Sequence, residues 1–76
     1  MRVHSANELM DAIMARKKER GLNDSQLAIR AGITRQSIYY WGKGRKKESP
    51  QLDNLFRALN ALGLEMEIKE KEWKPW

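Results

Sequence analysis

The sequence predicts a mainly α domain of four to five helices, followed by one β-strand near the C-terminus. Three observations predict it. Ser5, Asn23 and Thr34 stand where a side-chain oxygen can cap a helix start, and Gly21, Gly32 and Gly63 stand just past apolar stripes at helical spacing. From Leu64 the pattern changes to strict alternation, with Leu64, Met66 and Ile68 apolar and Glu65, Glu67 and Lys69 charged, the period of a half-buried strand. The chain has 76 residues, which leaves room for one small domain and none for a separate catalytic one.

The first helix begins at Ser5, with Glu8 three residues on as its capping-box partner. Leu9, Ala12 and Ile13, with Met10 and Met14 alongside, form its apolar stripe, and the cations of residues 16–20 complement its C-terminal dipole before Gly21. Asn23 and Gln26 form a second box, opening a helix of about two turns that buries Leu27, Ala28 and Ala31 and ends at Gly32. Thr34 caps a third helix, polar outside at Arg35, Gln36 and Ser37 and bulky inside at Ile38 and Trp41. Gly42 and Gly44 break it, a basic loop follows, and Ser49-Pro50 restarts a helix with Pro at its first position. Leu52, Leu55, Phe56, Leu59 and Leu62 give the next helical stripe.

Residues 64–69 carry two readings. Their alternation reads as strand, whereas Glu65/Lys69 and Glu67/Lys71 also pair at helical spacing. A lone strand needs a partner, and self-pairing across a two-fold axis would supply one and bury Leu64, Met66 and Ile68. The sequence thus divides into a helical part, residues 1–63, and a dimerisation strand with an aromatic tail, residues 64–76, that ends on Trp73 and Trp76.

Fifteen Lys and Arg against ten Asp and Glu give a net charge of +5, and the charge is unevenly placed. The cations concentrate in residues 1–47, whereas the remainder is net acidic, so a polyanion should meet the first part. No cysteine is present and there is one histidine, His4, which excludes disulfides, thiol catalysis and cysteine-based zinc sites; no metal and no cofactor are expected. No apolar run reaches the roughly 18 residues of a membrane span and the N-terminus has no signal-peptide pattern, so no membrane association and a cytoplasmic location are expected. No acid/base dyad, Ser/His/Asp set or phosphate-binding glycine loop is present, and the chain is not expected to be an enzyme.

Two short helices joined across Gly32-Ile33-Thr34, the second with a polar start and a buried back, describe a helix-turn-helix. The small Ala28 and the turn glycine allow a close crossing, and Ile33, Ile38 and Trp41 hold the second helix on the core. An ordinary helical hairpin is the alternative. The stretch from Leu22 to Trp41 resembles the Cro/cI-like (XRE-type) helix-turn-helix family, and the flanking helices extend the resemblance over about residues 5–63. Within that family it is most similar to HipB-type antitoxin regulators, which carry a C-terminal strand that pairs between subunits and can end in tryptophan.

The resemblance implies a lambda repressor-like fold and double-stranded DNA as partner, with base contacts at Arg35, Gln36, Tyr39 and Tyr40. These side chains suit that work: Arg can bond guanine bidentately, Gln adenine, and Tyr a base, a phosphate or a thymine methyl. Phosphate contacts are expected from Ser25, Gln26, Thr34, Ser37, Lys43, Arg45, Lys46 and Lys47, and more weakly from the cations of residues 16–20. One departure stands out. Many relatives place Gln near the start of the second helix, where this chain has Asp24, a carboxylate that cannot donate to a phosphate and would repel it. The implied function is a homodimeric transcription regulator of bacterial or phage origin, most simply a repressor on a palindromic operator. It could be the antitoxin of a toxin protein or a Cro/cI-type repressor without one, and an interaction module acting through Trp73 and Trp76 is the reading from a different class.

Overall fold

The computed structural model describes residues 2–43 and 50–75, and the structural statements below concern those residues. Four helices run in chain order: α1 (Ala6–Glu19), α2 (Asp24–Ala31), α3 (Arg35–Gly42) and α4 (Leu52–Ala61). Residues 64–75 form neither a helix nor a strand within the single chain. α2 lies between α3 and α4, and α1 packs on α3 and more lightly on α4.

Each start follows from the residue beneath it. The Ser5 hydroxyl accepts from the Glu8 amide at 3.1 Å, while the Glu8 carboxylate accepts from the His4 amide, one residue before the expected partner. The capping box at α2 is complete: Asn23 accepts from the Gln26 amide at 2.8 Å and the Gln26 side chain accepts from the Asn23 amide at 2.9 Å. Thr34 caps α3 by accepting from the Ser37 amide at 3.2 Å. α4 differs from expectation. It begins at Leu52 after Gln51, and Pro50 lies outside the helix rather than at its first position, because Gln51 is still extended at φ −69°, ψ 129°.

The ends are equally specific. Gly21, at φ +69°, lets α1 close in a Schellman turn, with the Gly21 amide donating to Lys18 and the Leu22 amide to Lys17 at 3.0 and 3.1 Å. α4 ends in the same way through the amides of Gly63 and Leu64. Gly42 is the last residue of α3, and a Cβ there would lie 3.0 Å from the Met14 methyl, the end of a flexible side chain.

The core joins all four helices. Ile13, Leu27, Ile38 and Leu62 are fully buried, with Leu9, Met10, Ala28, Trp41, Leu55, Ala58 and Leu59 around them. Burial of each large side chain contributes about 1.5–3 kcal/mol. No polar or charged residue is buried among the described residues, so the fold rests on apolar packing with its ion pairs at the surface. Two members of the α4 stripe are not core: Leu52 is 61% exposed and Phe56 47%, and the inner face is completed instead by the fully buried Ala58. Among the described residues no helix is long and apolar enough to cross a membrane.

Candidate nucleic-acid interface

α2 and α3 form the unit on which the expected site residues lie. The Gly32 turn, at φ +70°, reverses the chain, with the Gly32 and Ile33 amides both donating to the Ala28 carbonyl at 2.9 and 3.1 Å. Ala28 is itself buried, which lets the helices cross closely, and the half-buried Ile33 packs on the core from within the turn. α3 is then held by Ile38 and Trp41, 0% and 3% exposed, at a spacing of three.

Anchoring that face fixes the opposite one. Residues 35, 36, 39 and 40 occupy a continuous arc of α3 away from Ile38 and Trp41. Arg35, Gln36 and Tyr39 are exposed, whereas Tyr40 is half-buried and packs against the core edge. The Tyr39 and Tyr40 rings meet edge to face, with centroids 6.4 Å apart and planes at 62°, so the core edge supports the outward ring. Such a face presents a guanidinium, an amide and a phenol within two turns, a set that can bond to base edges in a groove.

The expected phosphate groups divide by their local bonding. Ser25 is exposed at the start of α2. The Gln26 side-chain oxygen is committed to its cap, which leaves its NH2 group to donate outward. Thr34 and Ser37 place their hydroxyl oxygens 2.9 Å apart, a contact that needs one of their two hydroxyl protons and leaves the other for an external acceptor. Lys43 is exposed and caps α3, its amide donating to Tyr39 at 2.9 Å. Arg45, Lys46 and Lys47 lie outside the described residues, as does Trp76; Trp73 is 82% exposed. Leu64 is half-buried against the chain's own core, while Met66 and Ile68 are 46% and 100% exposed.

The cations of α1 mostly serve the fold. Arg16 pairs with Glu19 at 3.4 Å, and Arg20 Nε donates to the Leu62 carbonyl at 2.8 Å, tying the end of α1 to the end of α4. Lys17 Nζ lies 2.6 Å from the Asp24 carboxylate across the turn, which answers the charge at the start of α2 that stood out in the sequence. Arg57 donates through Nε to Asp53 at 3.1 Å and through Nη1 to the Gly32 carbonyl at 3.3 Å, joining α4 to the turn between α2 and α3. The Arg20 and Arg57 contacts span 42 and 25 residues, so no local pattern points to them. A cation one turn before Gly21 and an acid just after the next cap were the available signal for Lys17 and Asp24.

Comparison with known proteins agrees with this geometry. A family model described as "HTH_3: Helix-turn-helix" matches residues 13–69, well over half of the chain. No curated protein matches the sequence significantly. Among solved structures, a complex of a HipB point variant with an O2 20-mer is similar at a TM-score of 0.79 and 21% identity, covering 95% of this chain and 97% of the other, and so shares the fold. With a matching profile that spans the turn, the helix it presents and the helices that hold it, this chain belongs to the XRE-type helix-turn-helix family of DNA-binding regulators.

Proposed function

We propose that this chain is a sequence-specific, homodimeric transcription regulator of double-stranded DNA, most simply a repressor that occludes a promoter. The observation that carries the reading is the exposed arc of α3 bearing Arg35, Gln36 and Tyr39, set opposite the buried Ile38 and Trp41 on a short helix that cannot rotate without exposing them. The HipB structure that shares the fold was determined with a 20-mer, which supports the same partner class. In this reading Arg35, Gln36, Tyr39 and Tyr40 meet bases, and Ser25, Gln26, Thr34, Ser37 and residues 43–47 meet the backbone on either side of the groove. Residues 1–63 read DNA and residues 64–76 join two copies, whose reading helices then lie about 34 Å apart on a pseudo-palindrome.

Selection of bound duplexes from a random pool supplies the matched site for the test. On that site Gln36→Ala weakens binding by about 1–3 kcal/mol and relaxes one base position. Lys46→Ala weakens matched and scrambled duplexes alike and lowers the salt slope by about one. Equal losses from both changes on both DNAs would overturn the assignment.

The exposure of Trp73 favours a second role for the tail, engagement of a protein partner such as a toxin. A partner held by the full chain and lost from a chain ending at Glu72 supports it. Retention by the shortened chain removes the tail from that role.

A further inference from the structure

Asp24 is the first residue of α2 and stands beside Ser25 and Gln26, the groups proposed to face a backbone phosphate. A carboxylate in that position has two opposed effects. It stabilises the positive end of the helix, yet it repels the anion that the same helix end should approach. Lys17 resolves the opposition. Its ammonium lies 2.6 Å from Asp24 Oδ1, and the two side chains are 16% and 29% exposed, so they are shielded more than the Arg16–Glu19 or Asp53–Arg57 pairs. The turn at Gly21 makes the contact, because it brings the last turn of α1 back alongside the first residue of α2. Neighbouring cations do not share the task, since Arg16 bonds within α1 and Arg20 bonds to Leu62.

We propose that Lys17 is a positioning residue for DNA binding: by holding and neutralising Asp24 across the α1–α2 turn, it opens the start of α2 to a backbone phosphate. The inference rests on the DNA-binding reading above. It separates Lys17 from the basic residues proposed to meet phosphate directly, because its charge is spent on a carboxylate of its own chain.

Lys17→Met and Asp24→Asn break the same contact and leave opposite charges behind, which makes the pair testable. The measurement is anisotropy of a labelled mixed-sequence duplex titrated with the full chain at about 50 mM salt, with thermal unfolding of each variant. Lys17→Met should bind about five- to tenfold more weakly, Asp24→Asn as tightly as the unmodified chain or up to about threefold tighter, and the double variant within about twofold of it. Lys17→Gln, which keeps a polar donor toward Asp24 without its charge, should weaken binding in the same direction and serves if the methionine variant does not fold. Equal loss from Lys17→Met and Asp24→Asn would mean that the pair only supports the fold, and overturns the proposal. A double variant as weak as Lys17→Met overturns it too, since Lys17 would then touch the phosphate itself. Absence of binding by the unmodified chain overturns the DNA-binding reading and this proposal with it.

Discussion

Gly32 and Gly42 both lie at helix ends, and they are glycine for different reasons. Gly32 sits at φ +70°, where any Cβ is strained, and its reversal aims α3. Gly32→Ala should therefore lower stability by about 1–2 kcal/mol in urea unfolding. Gly42 has ordinary helical geometry, and among the described residues a Cβ there would meet the Met14 methyl, the end of a flexible side chain. Gly42→Ala should raise stability by about 0.5 kcal/mol, the helix-propensity gain less a small shift of Met14. At this scale the sequence is a reliable guide, because a cap and its partner are three residues apart: Asn23 with Gln26 and Thr34 with Ser37 form as their spacing predicts. Gly42 is legible as a glycine at a helix end, but the side chain that a Cβ there would meet lies 28 residues away and leaves no trace in its own neighbourhood.

Among the elements, α4 shows the limit of periodicity. Five large apolar residues at helical spacing suggest one buried stripe, yet the buried face is centred on Leu55, Ala58, Leu59 and Leu62 while Leu52 and Phe56 remain exposed. The stripe is wider than the contact that α1 and α2 make with it, and the most fully buried position of the helix is Ala58, which a search for bulky side chains passes over. Leu59→Ala should accordingly cost about 2–5 kcal/mol in chemical unfolding, whereas Leu52→Ala should change the stability of the single chain by less than about 0.5 kcal/mol. α3 is more fully legible because it is short. Ile38 and Trp41 leave one inward orientation, and the outward arc of Arg35, Gln36 and Tyr39 follows from it. Tyr40 is the exception, reaching the core edge as well as the arc.

For the molecule as a whole, most of the exposed large apolar side chains of the described residues lie on α4 and the C-terminal segment, with Ile29 on α2 and Tyr39 on α3 apart from them. Leu52 and Phe56 on α4, and Met66, Ile68 and Trp73 beyond Gly63, are large apolar side chains exposed in the single chain. Self-association through residues 64–68 is the proposed use of that surface, and its alternating pattern gives one face to bury. Met66→Asp should convert the proposed dimer to a monomer in sedimentation experiments while helical content stays within about a tenth of the unmodified chain, since Met66 lies outside the core. A dimer that survives the change would place the contact elsewhere, with Leu52 and Phe56 next to be tested.

Local chemistry is what the sequence by itself determined: where the first three helices start, where glycine turns end helices, which short helix carries the polar face, and the family that this combination resembles. These are legible because their causes lie within four or five residues of their effects. Only the tertiary structure decided which side of α4 is covered, what a side chain at Gly42 would meet, and how Arg20 and Arg57 fasten α1 and the turn to the far end of the chain. It also turned the misplaced charge of Asp24 into half of an ion pair with Lys17. Each of these depends on a contact between residues on different elements that helix packing brings together in space, and packing is decided by shape and burial across all four helices together.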